Sequence, residues 1–156
     1  MTGVLSSGTP WGGHGAFMYA ARHPGVFEAA ASLSGVLDIR ADVGGYQSFF
    51  QSKGESTDAV WGPPSDWPPH NPADQVSRLG GIRLYASTGD GDPGLLDGGD
   101  ATYDWVEAGI HRQNTNFAEA AEKAGVPLTK DFYGPGTHTW PYWIASLEKA
   151  LPLLLP

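Results

Sequence analysis

Short apolar runs alternate with helical stripes along almost the whole chain, and that alternation leaves few folds open. Phe27 to Leu33 is an apolar, small-residue run suited to a strand buried on both faces. Ile82 to Thr88 alternates apolar and polar residues until Gly89-Asp90-Gly91-Asp92 breaks it, and Val126 to Tyr133 reads as the last strand. Between these runs Ala16, Phe17, Ala20 and Ala21 recur at helical spacing up to His23-Pro24-Gly25, and Phe117, Ala120, Ala121 and Ala124 do so up to Gly125. Asn71-Pro72 is expected to open a helix with Val76 and Leu79 inward, Asp100 to cap one through Trp105 and Glu107, and Pro141 to start a final helix that Pro152 ends. Asp38 to Pro69 is rich in Gly, Pro and aromatic residues without a period, which predicts a long excursion over one face of a sheet. Strands separated by helices need crossover connections, so the expected fold class is α/β: a parallel sheet with helices on both faces.

At 156 residues the chain has the size of one domain, residues 1–156, able to bury roughly two-thirds of its unfolded surface. The net charge of -8, with nine Lys and Arg scattered, excludes the basic stripe that nucleic acid or an anionic membrane requires and points to a neutral or weakly polar ligand. The absence of cysteine excludes disulfides, thiol catalysis and thiolate zinc. No apolar run reaches membrane-spanning length, and neither a charged nor an apolar signal segment follows Met1.

Sites in open parallel sheets collect beyond the carboxyl ends of the strands, and three groups fall there. They are the turn Gly8-Thr9-Pro10-Trp11-Gly12-Gly13, the Asp90 to Glu107 stretch, and Gly136-Thr137-His138-Thr139-Trp140. The chain order of nucleophile turn, acid and histidine is that of α/β-hydrolases. More specifically, Gly8 to Phe17, Ala20-Ala21-Arg22-His23-Pro24 and Ser32-Leu33-Ser34-Gly35-Val36-Leu37-Asp38 resemble the Gly-x-Ser-x-Gly-Gly, His-Pro and Ser-Leu-Ser-x-x-Leu-Asp signatures of the bacterial esterase family that includes the antigen 85 mycolyltransferases. Trp61-Gly62-Pro63, Ser65-Asp66, Asn71-Pro72, Asn114, Phe117, Gly136-Thr137-His138, Trp140 and Tyr142-Trp143 continue the match.

That resemblance implies an esterase-like α/β-hydrolase domain without the amino-terminal strands, because family members are longer and the part with no counterpart here is their amino-terminal half. It implies His138 as triad base and places Glu107 on the triad acid. Broader esterases use a carboxylate directly after the strand, which here is Asp92 or Asp90. Pro10 occupies the nucleophile position and carries no nucleophilic group, so no acyl-enzyme can form on it. Ser6 is the alternative nucleophile, although Val4 replaces the leading glycine and the spacing to the helix is too long. Trp11 corresponds to a backbone donor of the oxyanion hole, a role independent of its side chain. Trp140 and Trp61 correspond to substrate-contacting positions, and Tyr46, Phe49, Phe50 and Trp67 join Trp61 as candidates to line an acyl or sugar groove, with core and loop packing of the same aromatics as the alternative.

No cofactor and no metal are expected. Asp90-Gly91-Asp92 with Asp97 and Asp100 is rich in oxygen ligands but fails as an EF-hand loop, since Leu95 stands where the turn glycine belongs and Pro93 stiffens the middle. The implied partner is a small-molecule ester, lipid or glycolipid, and the family context implies a secreted or cell-wall-associated setting. The match begins sharply at Gly12-Gly13, which suits a shifted reading frame over Met1 to Trp11; the alternative, which rests on Pro10, is a non-catalytic glycan- or lipid-binding relative that has lost the nucleophile. A strand around Val4 with no preceding neighbour is an exposed edge, from which poor folding of the isolated chain is expected.

Overall fold

The computed structural model describes residues 3–6 and 10–155, with the main chain alone at 3–6 and 10. Four strands form one parallel sheet in the order β1 (Gly3–Ser6), β2 (Ala29–Leu33), β3 (Arg83–Gly89) and β4 (Thr129–Gly134). Ala29 pairs with Gly3 on one side and Arg83 on the other, and Tyr85 pairs with Thr129. Helices α1 (Pro10–Arg22), α4 (Trp105–Lys123) and α5 (Trp140–Leu154) supply the covering layers.

Side-chain alternation along β2 and β3 decides which helix covers which face. Ala30, Leu84 and Ala86 point to a core with Phe17, Ala20, Phe117 and Ala121 of α1 and α4. Ala29, Ala31, Leu33 and Tyr85 point the other way, to Trp143, Ala150 and Leu154 of α5. Both faces of β2 are buried along its whole length, which explains its alanine-rich composition. The Phe17 and Phe117 rings meet edge to face at 5.2 Å and are fully buried, each burial contributing roughly 1.5–3 kcal/mol.

The expected α/β class and parallel sheet are present, while several local expectations are corrected. The stretch from Asp38 to Pro69 contains two helices, α2 (Val43–Ser52) and α3 (Thr57–Trp61), whose first amides are capped by Asp42 and Ser56. Asn71 does not cap a helix of its own: its Oδ1 accepts from the Ile39 amide, and Val76 and Leu79 face inward from a single 3-10 turn. The cap of α4 is Asp104 instead of Asp100, and α4 is one continuous helix. Pro152 lies inside α5, near its end, where it removes one main-chain hydrogen bond without stopping the helix.

Because all four strands run the same way, the ends at Ser6, Leu33, Gly89 and Gly134 share one rim. The loops that leave these ends are the ones that carry the motif residues. At the first of them, α1 is drawn in close to β2, since a Cβ on Gly13 would fall 2.8 Å from the Gly35 Cα and 2.2 Å from the Ser32 Oγ.

Candidate functional site

Glu107 is the third residue of α4, and its entire side chain is buried, with 0% exposure. Such a carboxylate is costly to bury unless donors converge on it. Here four do. Its Oε1 accepts from the Ser34 hydroxyl at 2.7 Å, the Thr88 hydroxyl at 3.0 Å and the Gly89 amide at 2.7 Å. Its Oε2 lies 2.6 Å from Nδ1 of His138. Ser34 reaches the carboxylate from a left-handed backbone conformation, φ 49°, which a serine adopts only when its surroundings hold it there.

His138 sits on the loop between β4 and α5, its side chain 13% exposed and its ring edge to face with Trp143 at 4.8 Å. With Nδ1 donating to Glu107, the lone pair of the neutral ring is on Nε2. Nε2 is buried and has no hydrogen-bond partner among the described residues. The loop is held by Thr137, whose hydroxyl donates to Asp97 at 2.5 Å, and by Tyr142, whose hydroxyl donates to the other oxygen of Asp97 at 2.9 Å. Burial works against the charge on Asp97, but the Gly94 amide, Thr137 and Tyr142 together hold its carboxyl below the ordinary value.

The other predicted residues take these positions. Asp92 is exposed and its amide donates to Asp90 Oδ1 at 2.9 Å, so this pair builds a turn and neither carboxylate is on the imidazole. Pro10 is the first residue of α1, a position that suits proline because its missing N–H has no helical partner to lose. Trp11 follows as the second residue, where the backbone N–H also has no intrahelical partner. Ser6 ends β1, in register with Ser32, four positions before Pro10. Gly8, Thr9 and the side chains at 6 and 10 lie outside the described residues.

An apolar cavity of about 310 Å³ opens beside Trp11, between α2 and α4, walled by Tyr46, Phe49, Trp105, Val106 and Ile110. Trp61 does not line it. That ring is 8% exposed and packs behind Trp11 at 5.6 Å, with the fully buried Trp67 at 5.2 Å beyond, so both are core. Phe50 belongs to the same cluster. Trp140 is 59% exposed and leans on Trp143 at 5.1 Å. His14, behind Trp11, donates from Nδ1 to the Val36 carbonyl at 3.2 Å, and burial brings its pKa down to about 4.

Residues 4–154 match the model of the Esterase family. The chain belongs to that family. Among curated relatives it is 32% identical to the diacylglycerol acyltransferase/mycolyltransferase Ag85B of Mycobacterium intracellulare, covering 97% of this chain and 48% of the relative. It is likewise 32% identical to Ag85A of Mycobacterium gordonae, covering 94% of this chain and 45% of that one. The chain therefore spans about half the length of the curated relatives it matches. Among solved structures, MPT51 (FbpC1) of Mycobacterium tuberculosis superposes with a TM-score of 0.73 at 26% identity, covering 89% of this chain and 54% of that one. S-formylglutathione hydrolase (FrmB) of Staphylococcus aureus shares the fold, with a TM-score of 0.64 at 18% identity over 94% of this chain and 52% of that one.

The structure brings His138 and Glu107 together, and the residues that hold them are ones that no motif singled out for that role. Ser34, Thr88, Asp97 and Asp104 carry no catalytic motif of their own. One signal was available: Asp104-x-x-Glu107 has capping-box spacing, which marks a helix start. In this chain the box is only half closed, because Glu107 turns to His138 instead of back to the Asp104 amide.

Proposed function

We infer that this rim is an acyl-transfer site of the esterase and mycolyltransferase type, in which His138 is the base, Glu107 orients it and the cavity beside Trp11 takes the acyl chain of an ester. In the complete reaction a hydroxyl at position 10 attacks the ester carbonyl and passes its proton to His138 Nε2. His138 then returns that proton to the leaving alcohol, and water or a sugar hydroxyl releases the acyl group. The observation that carries this reading is the 2.6 Å contact between His138 and a fully buried Glu107, combined with an Nε2 that has no partner among the described residues. Pro10 supplies no hydroxyl, so the chain with proline is impaired in forming an acyl-enzyme.

The test is p-nitrophenyl butyrate with the parent chain, with Pro10→Ser and with Pro10→Ser/His138→Ala. The parent is expected to give no burst of p-nitrophenol, the serine variant a burst approaching one equivalent, and the double variant none. A folded Pro10→Ser protein without a burst overturns this reading. The proline itself favours a second one, a non-catalytic glycan- or lipid-binding relative. Saturable binding of an alkyl glucoside by the parent, with no burst from the serine variant, would select it.

A further inference from the structure

We propose that Asp104 is the positioning residue of this site, a single carboxylate that sets the separation of His138 and Glu107 by holding the main chain of both. The inference rests on the reading of these two residues as base and acid, and it assigns a role to a side chain that touches neither of theirs.

Asp104 Oδ1 accepts from the amides of Val106 at 2.9 Å and Glu107 at 3.1 Å, and Oδ2 accepts from the amide of His138 at 2.8 Å. One oxygen therefore fixes the helix start from which Glu107 projects, and the other fixes the loop from which His138 projects. The carboxylate is itself anchored through its own main chain. The Asp104 amide donates to the Gly91 carbonyl at 2.8 Å, and its carbonyl accepts from Ala108 at 3.0 Å. Gly91, at φ +93°, is pressed against it so closely that a Cβ there would lie 2.5 Å from the Asp104 oxygen. The same Gly91 donates to the Gly136 carbonyl at 3.1 Å, so three segments of the rim converge on one point: the exit of β3, the start of α4 and the exit of β4.

Asp97 also holds the histidine loop, through Thr137, but none of its hydrogen bonds reaches α4. Only a bracket that spans both elements can fix the distance between their side chains, and a shift of about 1 Å is enough to spoil a proton-transfer geometry.

Two substitutions separate bracketing from ordinary helix capping. Asp104→Ser keeps a good cap but has no second oxygen to reach His138, and Asp104→Asn keeps a cap while putting an N–H₂ where one acceptor stood. The readout is the far-downfield proton NMR resonance of His138 Nδ1–H bonded to Glu107, assigned by its loss in His138→Gln, with far-UV circular dichroism as the check on folding. The parent should show the resonance; both Asp104 variants should keep the parent's helical signal and lose, broaden or move the resonance upfield. In the Pro10→Ser background the same changes should slow the p-nitrophenol burst by at least about tenfold. An unchanged resonance in both variants overturns the bracket and leaves the base-acid pair standing. A parent without the resonance overturns the pair and the bracket together, and failure of both variants to fold makes Asp104 a residue of the fold and not of positioning.

Discussion

His138 Nδ1 and Glu107 Oε2 stand 2.6 Å apart, one on the loop that leads into α5 and the other in the first turn of α4, with the Glu107 side chain wholly out of water. The pair is preassembled. Its acid is held by three further donors, so its removal touches the fold as much as the site.

Glu107→Ala is therefore expected to destabilise the chain by roughly 3–5 kcal/mol, since it leaves the Ser34 hydroxyl and the Gly89 amide without an acceptor in a dry interior, while the Thr88 hydroxyl keeps the Gly89 carbonyl at 2.9 Å. Urea unfolding midpoints compared with His138→Ala check this. The histidine change should cost much less, because it strands a single acceptor.

His14 makes stability depend on mild acid. Burial lowers its pKa from 6.5 to about 4, so between those two values the unfolded chain binds a proton that the folded chain does not. Stability should be complete above pH 6.5 and fall by up to about 3 kcal/mol as pH drops to 4, a decrement that His14→Gln removes. Thermal melts of both proteins at a series of pH values between these limits read the difference directly.

Two glycines in α1 should respond in opposite directions. Gly13→Ala brings a Cβ to 2.2 Å from the Ser32 hydroxyl and 2.8 Å from the Gly35 Cα, against a backbone that cannot yield, and should cost about 2 kcal/mol or more. Gly15→Ala meets nothing closer than the Tyr19 ring at 3.7 Å and should gain about 0.5–1 kcal/mol from helix propensity. Equal effects from the two substitutions in denaturant titrations would contradict the close packing of α1 on β2.

The cavity makes a separate claim. Phe49 and Trp105 wall it and are 49% and 80% exposed, so truncating them removes little core. Phe49→Ala/Trp105→Ala should weaken binding of a medium-chain alkyl glucoside by about tenfold, near 1.4 kcal/mol, while the melting temperature stays within a few degrees. Isothermal titration calorimetry decides it, and unaltered affinity would move the acyl site elsewhere.

The layered fold is legible in the sequence because helical and strand periods differ and because Gly and Pro punctuate them at Pro24, Gly89 and Gly125. The meeting of His138 with Glu107 is anticipated only through the family resemblance, which left Asp92 and Asp90 as alternative acids. Helices α2 and α3 are not legible, since α2 mixes glycine, serine and glutamine with aromatics and α3 is only five residues long, although the caps Asp42 and Ser56 mark both starts. Trp61 reads as a groove residue because an aromatic in an irregular stretch gives no sign of which neighbour covers it; its packing against Trp11 and Trp67 is a tertiary fact. The same holds for Ser34 and Thr88, whose hydroxyls gain meaning only from a helix that begins many residues later.

With Ser34, Thr88, Gly89 and His138 each committing a hydrogen to one sunken carboxylate, the strand ends, the helix start and the histidine loop of this rim are riveted together from within. Exchange of Glu107 strands the Ser34 hydroxyl and the Gly89 amide inside the domain, so the chain loses a fastening of its fold along with the partner of His138.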